Sequence, residues 1–314
     1  MALIASDVDR FETARPRLEA IAYRLLGSSG DAEDAVQETF LRWQAADTGR
    51  IEVPEAWLTK VLTNFCLNLL TSARARRETY VGQWLPEPLL DGDTMLGPAD
   101  TVEQRESVSY AVLVLLERLA PKERAVYVLR EAFGYSHREI AEILDITEAA
   151  GQQIHHRAKK HLAEGRARTE VDEAAARRIV EEFLTAATSG RTEPLIRLLT
   201  QDAVAVGDGG GKIPARAKAF EGARAVATFL RGLFKPSEAK RKYVGGAAEM
   251  HAAIANGGPA IVAVVDGRVV GISCLEVTAD GIVAVRSQVN PDKLVRATEQ
   301  WAAAGHGEDP FCTL

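Results

Sequence analysis

Apolar residues return at helical spacing through most of the first 170 positions, and the pattern changes character only after about Val171. In DAEDAVQETFLRW, Val36, Phe40 and Trp43 share one stripe, which predicts a core face. Asp34, Gln37, Glu38 and Leu41 share the opposite face, and a leucine among polar groups hints at a partner surface. PEAWLTKVLTNFCLNLLTSARARR predicts a second helix started by Pro54, with Trp57, Leu58, Val61, Leu62, Phe65 and Leu69 as its apolar stripe. Asn64, Asn68, Thr71 and Ser72 give its other face hydrogen-bonding side chains, and Arg74, Arg76 and Arg77 close it. Amides can meet base edges and arginines phosphates, although basic helix ends also complement the helix dipole.

This first helical unit runs over about 8–77. Residues 78–100 carry Pro86, Pro88 and Pro98 with Gly82, Gly92 and Gly97, the signature of a linker. Tyr80, Trp84, Leu85, Leu89 and Leu90 are costly to leave in water, so the linker is expected to find a partner surface. A second helical unit spans about 101–168 and contains a helix-turn-helix pattern. Ser136 and Glu139 make a capping box, Ile140, Ile143 and Leu144 face inward, Asp145 stands at the turn, and Thr147 caps the next helix. That helix is expected to expose Gln152, Gln153, His156, Arg157 and Lys160. Glutamine suits adenine edges, while Arg and Lys grip phosphate.

From about 171 to 304, two helical patterns near Asp172–Thr188 and Thr192–Leu199 precede runs of β character. These are AVAV, EMHAAIA, PAIVAVV, RVVGISCLEVT and IVAVRSQV. Asp266-Gly267 and Asp280-Gly281 read as two-residue hairpin turns, so an antiparallel meander is predicted after the helices. The tail, 305–314, is expected to fray.

Composition narrows the function classes. The net charge of −6 looks wrong for a DNA-binding protein, yet Arg157, Lys159, Lys160, Arg166 and Arg168 outnumber nearby acids. No apolar run approaches the roughly 18 residues of a membrane span and the N-terminus lacks a secretory pattern, so a cytoplasmic location is expected. Cys66, Cys274 and Cys312 are too scattered for a disulfide framework or zinc spacing. His155, His156 and His161 lack partners at ligand spacing, so no metal or other cofactor is expected. GDGGGKI resembles a phosphate loop only superficially, because Ile213 stands where a hydroxyl would hold magnesium.

The pair DAEDAVQETFLRW and AWLTKVLTNFCLNLLTSARARR resembles regions 2.1 to 2.4 of extracytoplasmic-function sigma factors, and the helix-turn-helix segment resembles sigma region 4. The third unit resembles the SnoaL-like members of the NTF2-like superfamily. WLPEP at Trp84–Pro88, DGGGK at Asp208–Lys212 and NPDKL at Asn290–Leu294 point to the sigma subgroup with such an extension. The resemblance implies a multidomain protein: two all-α sigma domains, region 2 a helical bundle and region 4 a helix-turn-helix, plus an α+β cone-shaped domain. It implies that Asp34, Gln37, Glu38 and Leu41 bind core RNA polymerase. It implies that Asn64 and Asn68, with Arg74, Arg76 and Arg77, serve the downstream promoter element. It implies that the helix of Gln152, Gln153, His156, Arg157 and Lys160 reads the upstream one. Gly151 departs from the β-branched residue usual there and is expected to soften region 4.

The extension is expected to regulate the sigma regions in cis, with no catalytic residues. The alternatives are a small-ligand sensor or a SnoaL-like enzyme fused to a DNA-binding module. An enzyme would need a cavity acid or base, and Asp202, Asp208, His251 and Glu276 are the candidates. On the regulatory reading, Gly209, Gly210 and Gly211 let backbone approach backbone beside Asp208, and Lys212 pairs with linker acids. Asn290, Pro291, Asp292 and Lys293 then help hold that rim near Trp84 and Pro86 of the linker or near region 2.

Overall fold

The computed structural model describes residues 5–77, 80–97, 107–162, 173–215, 218–305 and 309–314, without the side chains of 5, 6, 73–77 and 173. The chain divides into two compact units. One takes residues 1–78 and 92–165, the other 79–91 and 166–314, so the division falls inside the Pro/Gly linker.

In the first unit, helices α1 (Ala5–Leu26), α2 (Ser29–Ala45) and α3 (Pro54–Arg77) pack around Phe11, Ile21, Trp43, Leu58 and Leu62, all buried. Ser28 starts α2 by accepting from the Asp31 N–H at 3.3 Å, and the Trp43 indole donates to the Asp7 carbonyl at 3.0 Å, so this large ring is buried with its polar group satisfied. Helices α4 (Tyr110–Leu116), α5 (Pro121–Tyr127), α6 (His137–Leu144) and α7 (Glu148–Leu162) complete the unit. The Ser136–Glu139 capping box starts α6, Asp145 ends it in the left-handed region at φ 51°, and Thr147 accepts from the Ala150 N–H at 3.2 Å at the head of α7. Ile140, Ile143 and Leu144 are buried, as their spacing predicts.

In the second unit, α8 (Glu173–Thr188), α9 (Glu193–Leu198) and α10 (Ala223–Leu233) lie against a seven-stranded sheet. The strands are β1 (Leu199–Asp208), β2 (Phe220–Glu221), β3 (Glu249–Ala255), β4 (Gly258–Val265), β5 (Arg268–Thr278), β6 (Gly281–Gln288) and β7 (Cys312–Thr313), ordered β2-β1-β6-β5-β4-β3-β7. Phe183, Leu184, Leu230, Phe234, Ile261 and Leu275 form the core between helices and sheet. Register shifts in the β1–β6, β4–β5 and β5–β6 pairings mark bulges in β1, β5 and β6, which bend strands. A short helix α11 (Glu238–Val244) precedes β3, and α12 (Val295–Ala303) follows β6. The unit is thus an α+β fold, with helices packed on a bulged sheet.

Several sequence expectations need correction. The sheet is not a pure meander, because β1 pairs in parallel with β6. Helices α10 and α11 stand between β1 and the antiparallel strands, where no helix was predicted. Asp266-Gly267 has positive φ at both residues, as a type I′ turn requires. Asp280 does not; there only Gly281 is positive, at φ 127°, where a Cβ would meet the Leu198 carbonyl at 2.7 Å. The overlooked Asn256-Gly257, at φ 50° and 69°, makes the other such turn. The tail is not frayed over 309–314: Phe311 N–H donates to Met250 O at 2.8 Å, and Leu314 exchanges backbone bonds with Ala248.

Candidate functional site

The densest polar constellation of the second unit centres on Asp208, the last residue of β1, which is fully buried. Its Oδ1 accepts from the Tyr80 hydroxyl at 2.7 Å and the Gly210 N–H at 3.0 Å. Its Oδ2 accepts from the Leu85 N–H at 3.0 Å, the Gln288 amide at 3.2 Å and the Lys293 ammonium at 2.8 Å. Lys293 also donates to the Leu85 carbonyl at 2.7 Å and stands over the Trp84 ring at 4.1 Å. Gln288 donates to the Leu85 and Pro86 carbonyls, each at 3.3 Å, and Asn290 donates to the Tyr80 hydroxyl at 3.0 Å. Linker, β1 and the segment after β6 thus share one buried network. Farther along, Leu89 exchanges hydrogen bonds with Asn256, and Asp91 N–H donates to Ile254 O at 3.0 Å.

Burial by itself would raise the Asp208 carboxyl. The Lys293 charge and the donors from Tyr80 and Leu85 outweigh it and hold the group below its ordinary value. Burial and the adjacent carboxylate push the Tyr80 phenol up, so it keeps its proton and donates.

The glycines after Asp208 have separate geometric reasons. A Cβ on Gly209 would overlap the Ile213 carbonyl, and one on Gly210 the Asn290 amide. Gly211 lies 3.1 Å, measured from an added Cβ, from Val81 of the linker. Gly210 and Gly211 also have φ of 59° and 73°. Lys212 does not pair with linker acids as expected: its ammonium lies 2.6 Å from Asp292 on the surface. The Asn290 side chain accepts from the Asp292 N–H at 3.2 Å and Pro291 opens the short turn that follows, which presents Lys293 to Asp208. The sequence reading missed Tyr80 and Gln288 as members of this network. In the sequence Tyr80 reads only as an apolar side chain costly to leave in water, and nothing in the spacing sets Gln288 apart.

In the first unit, Asp34, Gln37 and Leu41 are exposed on α2, while Glu38 is held by Arg42 at 3.0 Å. Asn68 is exposed on α3. Asn64 is not free: its amide reaches the Ile143 carbonyl at the end of α6 at 3.5 Å. One turn earlier, Lys60 donates to Glu142 O at 2.9 Å and to Asp145 at 2.6 Å, and Thr59 meets the Tyr135 hydroxyl at 3.0 Å. The face of α3 that the sequence assigns to DNA therefore packs in part on the helix-turn-helix. Arg74, Arg76 and Arg77 lie at the end of α3, outside the residues whose side chains are described.

On α7, Gln152, Gln153, His156, Arg157 and Lys160 are all exposed. His155 bonds Glu131 at 2.8 Å. Burial lowers its pKa, and this outweighs the opposing pull of Glu131. Gly151 is buried, and an added Cβ would sit 3.8 Å from both His137 O and Ile146 Cδ1, in ordinary contact.

The catalytic candidates do not converge. Asp202 bonds Thr200, Asp208 belongs to the network above, His251 lies edge-on to Trp301, and Glu276 pairs with Arg286. Among the described residues, no group of three or more His, Cys, Asp or Glu could hold a metal ion.

Comparison with known proteins adds to this geometry. Residues 10–76 match the family model of sigma-70 region 2, and residues 109–162 that of sigma-70 region 4. The chain is 40% identical over 228 residues to the ECF RNA polymerase sigma factor SigJ of Mycobacterium tuberculosis, covering 72% of this chain and 73% of that one. It is 32% identical over 287 residues to the probable ECF RNA polymerase sigma factor SigI of the same organism, covering 89% and 92%. The crystal structure of M. tuberculosis SigJ superposes with a TM-score of 0.70 at 32% identity, covering 91% of this chain and 97% of that one.

Proposed function

Because the chain belongs to the extracytoplasmic-function sigma factors of RNA polymerase, we propose that its second unit regulates transcription initiation in cis by holding the linker between regions 2 and 4. Sigma factors bind core polymerase and promoter DNA. In this chain, exposed Asp34, Gln37 and Leu41, with Glu38, supply the polymerase face. Asn64, Asn68, Arg74, Arg76 and Arg77 serve the downstream element, and Gln152, Gln153, His156, Arg157 and Lys160 the upstream one.

The observation that carries the regulatory reading is the convergence of Tyr80, Leu85 and Lys293 on buried Asp208. A linker fixed over 80–91 has fewer residues free to span regions 2 and 4. Asn64 and Lys60 are occupied by the helix-turn-helix, so promoter reading requires these regions to part. A clamped linker favours the packed state, and a partner that binds the parted state draws the equilibrium the other way. An intramolecular clamp works at high effective concentration, so it needs no separate inhibitor protein.

The test is in vitro transcription with core polymerase, comparing the full chain with Asp208→Ala and with a chain ending near residue 168. Loss of the clamp should raise promoter-directed initiation by the Asp208→Ala protein. Equal transcripts and equal polymerase affinity for all three proteins would sink the regulatory reading while leaving the family intact. The same assay separates an enzyme, because its loss of turnover would leave transcription unchanged.

A further inference from the structure

Between the helices and the sheet of the second unit lies a cavity of about 230 Å³, far larger than the roughly 10–15 Å³ that admits one water. Its inner wall is apolar: Phe220, Phe229, Phe234, Met250, Ile261 and Ala263 line it. The polar groups deep in the wall are Ser273 and Ser287, and their hydroxyls bond one another at 2.7 Å, so they ask nothing of a guest. The charged residues among its lining are Lys218, Lys235, Lys240 and Arg241, all cations, and none of the lining residues described is Asp, Glu or His.

These cations differ in what they can offer. Lys240 is committed to the end of α10, donating to the carbonyls of Leu233 and Lys235 at 2.9 and 2.7 Å. Lys218, Lys235 and Arg241 are exposed at the mouth. An apolar interior below a cationic rim complements a molecule with an apolar body and one anionic end. Its body gains from leaving water, and its charge stays at the rim, where desolvation costs little. The described lining offers no carboxylate or imidazole side chain to act as acid or base, which suits binding better than chemistry.

We propose that this cavity is a binding site for a small amphipathic anion, an apolar chain or ring system carrying a single carboxylate-like head. The chain enters between α10 and the sheet, and the head rests among Lys218, Lys235 and Arg241. This assignment does not depend on the linker clamp, whose residues alternate with the cavity wall. Gly207 and Ser287 line the cavity, while Asp208 and Gln288 next to them hold the linker.

The experiment is calorimetric titration of the full chain with decanoate, and with 1-decanol as the neutral analogue of equal length. Decanoate should bind at one site per chain and more tightly than decanol. The double variant Lys235→Glu/Arg241→Glu, on exposed side chains, should weaken decanoate about tenfold and leave decanol unchanged. Ala263→Phe, which fills the cavity, should abolish both. No binding of decanoate to the unaltered protein overturns the site. Equal affinity for decanol, or indifference to the rim variant, overturns the anionic head. Decanoate binding that survives both variants places any interaction elsewhere on the protein and likewise overturns the assignment.

Discussion

The Lys60–Asp145 pair of the first unit and the Lys293–Asp208 pair of the second each tie together residues 85 positions apart, at 2.6 and 2.8 Å. Distance makes them look equivalent, and their surroundings make them opposites. The Lys60 and Asp145 side chains are 39% and 74% exposed, whereas those of Lys293 and Asp208 are 10% and 0%. An exposed pair is screened by water and salt and contributes about 0–1 kcal/mol. A buried pair must repay desolvation through further hydrogen bonds, and Asp208 accepts from Tyr80, Gly210, Leu85 and Gln288 as well as Lys293. The first contact is suited to parting easily. The second is an all-or-none network in which one missing member strands the others.

The comparison breaks hardest at Asp208. Asp208→Ala leaves the Lys293 ammonium, the Tyr80 hydroxyl and the Leu85 N–H without their shared acceptor, so the second unit should lose roughly 3–5 kcal/mol, read by denaturant unfolding. The double variant Asp208→Leu/Lys293→Met should recover much of that loss. A loss in the double variant equal to the sum of the two single losses would show that the pair is not coupled.

Gly210→Val tests the same network through backbone geometry. At φ 59° the branched side chain is strained, and its Cβ meets the Asn290 amide, so a loss of about 1–3 kcal/mol is expected. A crystal structure of the variant with Asn290 still bonded to Tyr80 would contradict the account.

The pH response follows from the depressed Asp208 pKa. The carboxylate contributes fully above the ordinary aspartate value of 3.8, and that stability is lost as pH falls through the lower folded value. Trp84 fluorescence should therefore be flat from weakly acid to neutral pH and change only in strong acid. A transition near neutrality would contradict the assignment.

At the small end, Lys60→Ala should cost the first unit about 0–1 kcal/mol, and added salt should shrink the difference. A loss as large as that of Asp208→Ala would erase the distinction between the two contacts.

Local rules were legible in the sequence, because they depend on neighbours in the chain. The capping box at Ser136 and Glu139, the left-handed Asp145, the buried stripe of Ile140, Ile143 and Leu144, and the turn at Asp266-Gly267 follow from spacing and φ preference alone. Helices α10 and α11 escaped because they stand between β1 and the antiparallel strands, in a stretch to which the sequence reading gives no element, and α10 buries Val226, Ala227 and Leu230 in a core that other helices and the sheet supply. Asp208 and Lys293 could be named from the motifs that contain them, yet the partners were misassigned. Lys212 and Lys293 both lie near Asp292 in the fold, and only packing sends Lys293 inward to the carboxylate and leaves Lys212 at the surface.

The sequence by itself determined the helical units, the exposed face of α7 and the glycines beside Asp208, because periodicity, caps and steric freedom are properties of short stretches. Only the tertiary structure decided that β1 and β6 run in parallel, so that Gly207 and Ser287 wall a cavity while Asp208 and Gln288 hold the linker. That outcome rests on pairing residues about 80 positions apart, and no local preference encodes which distant strand supplies the partner.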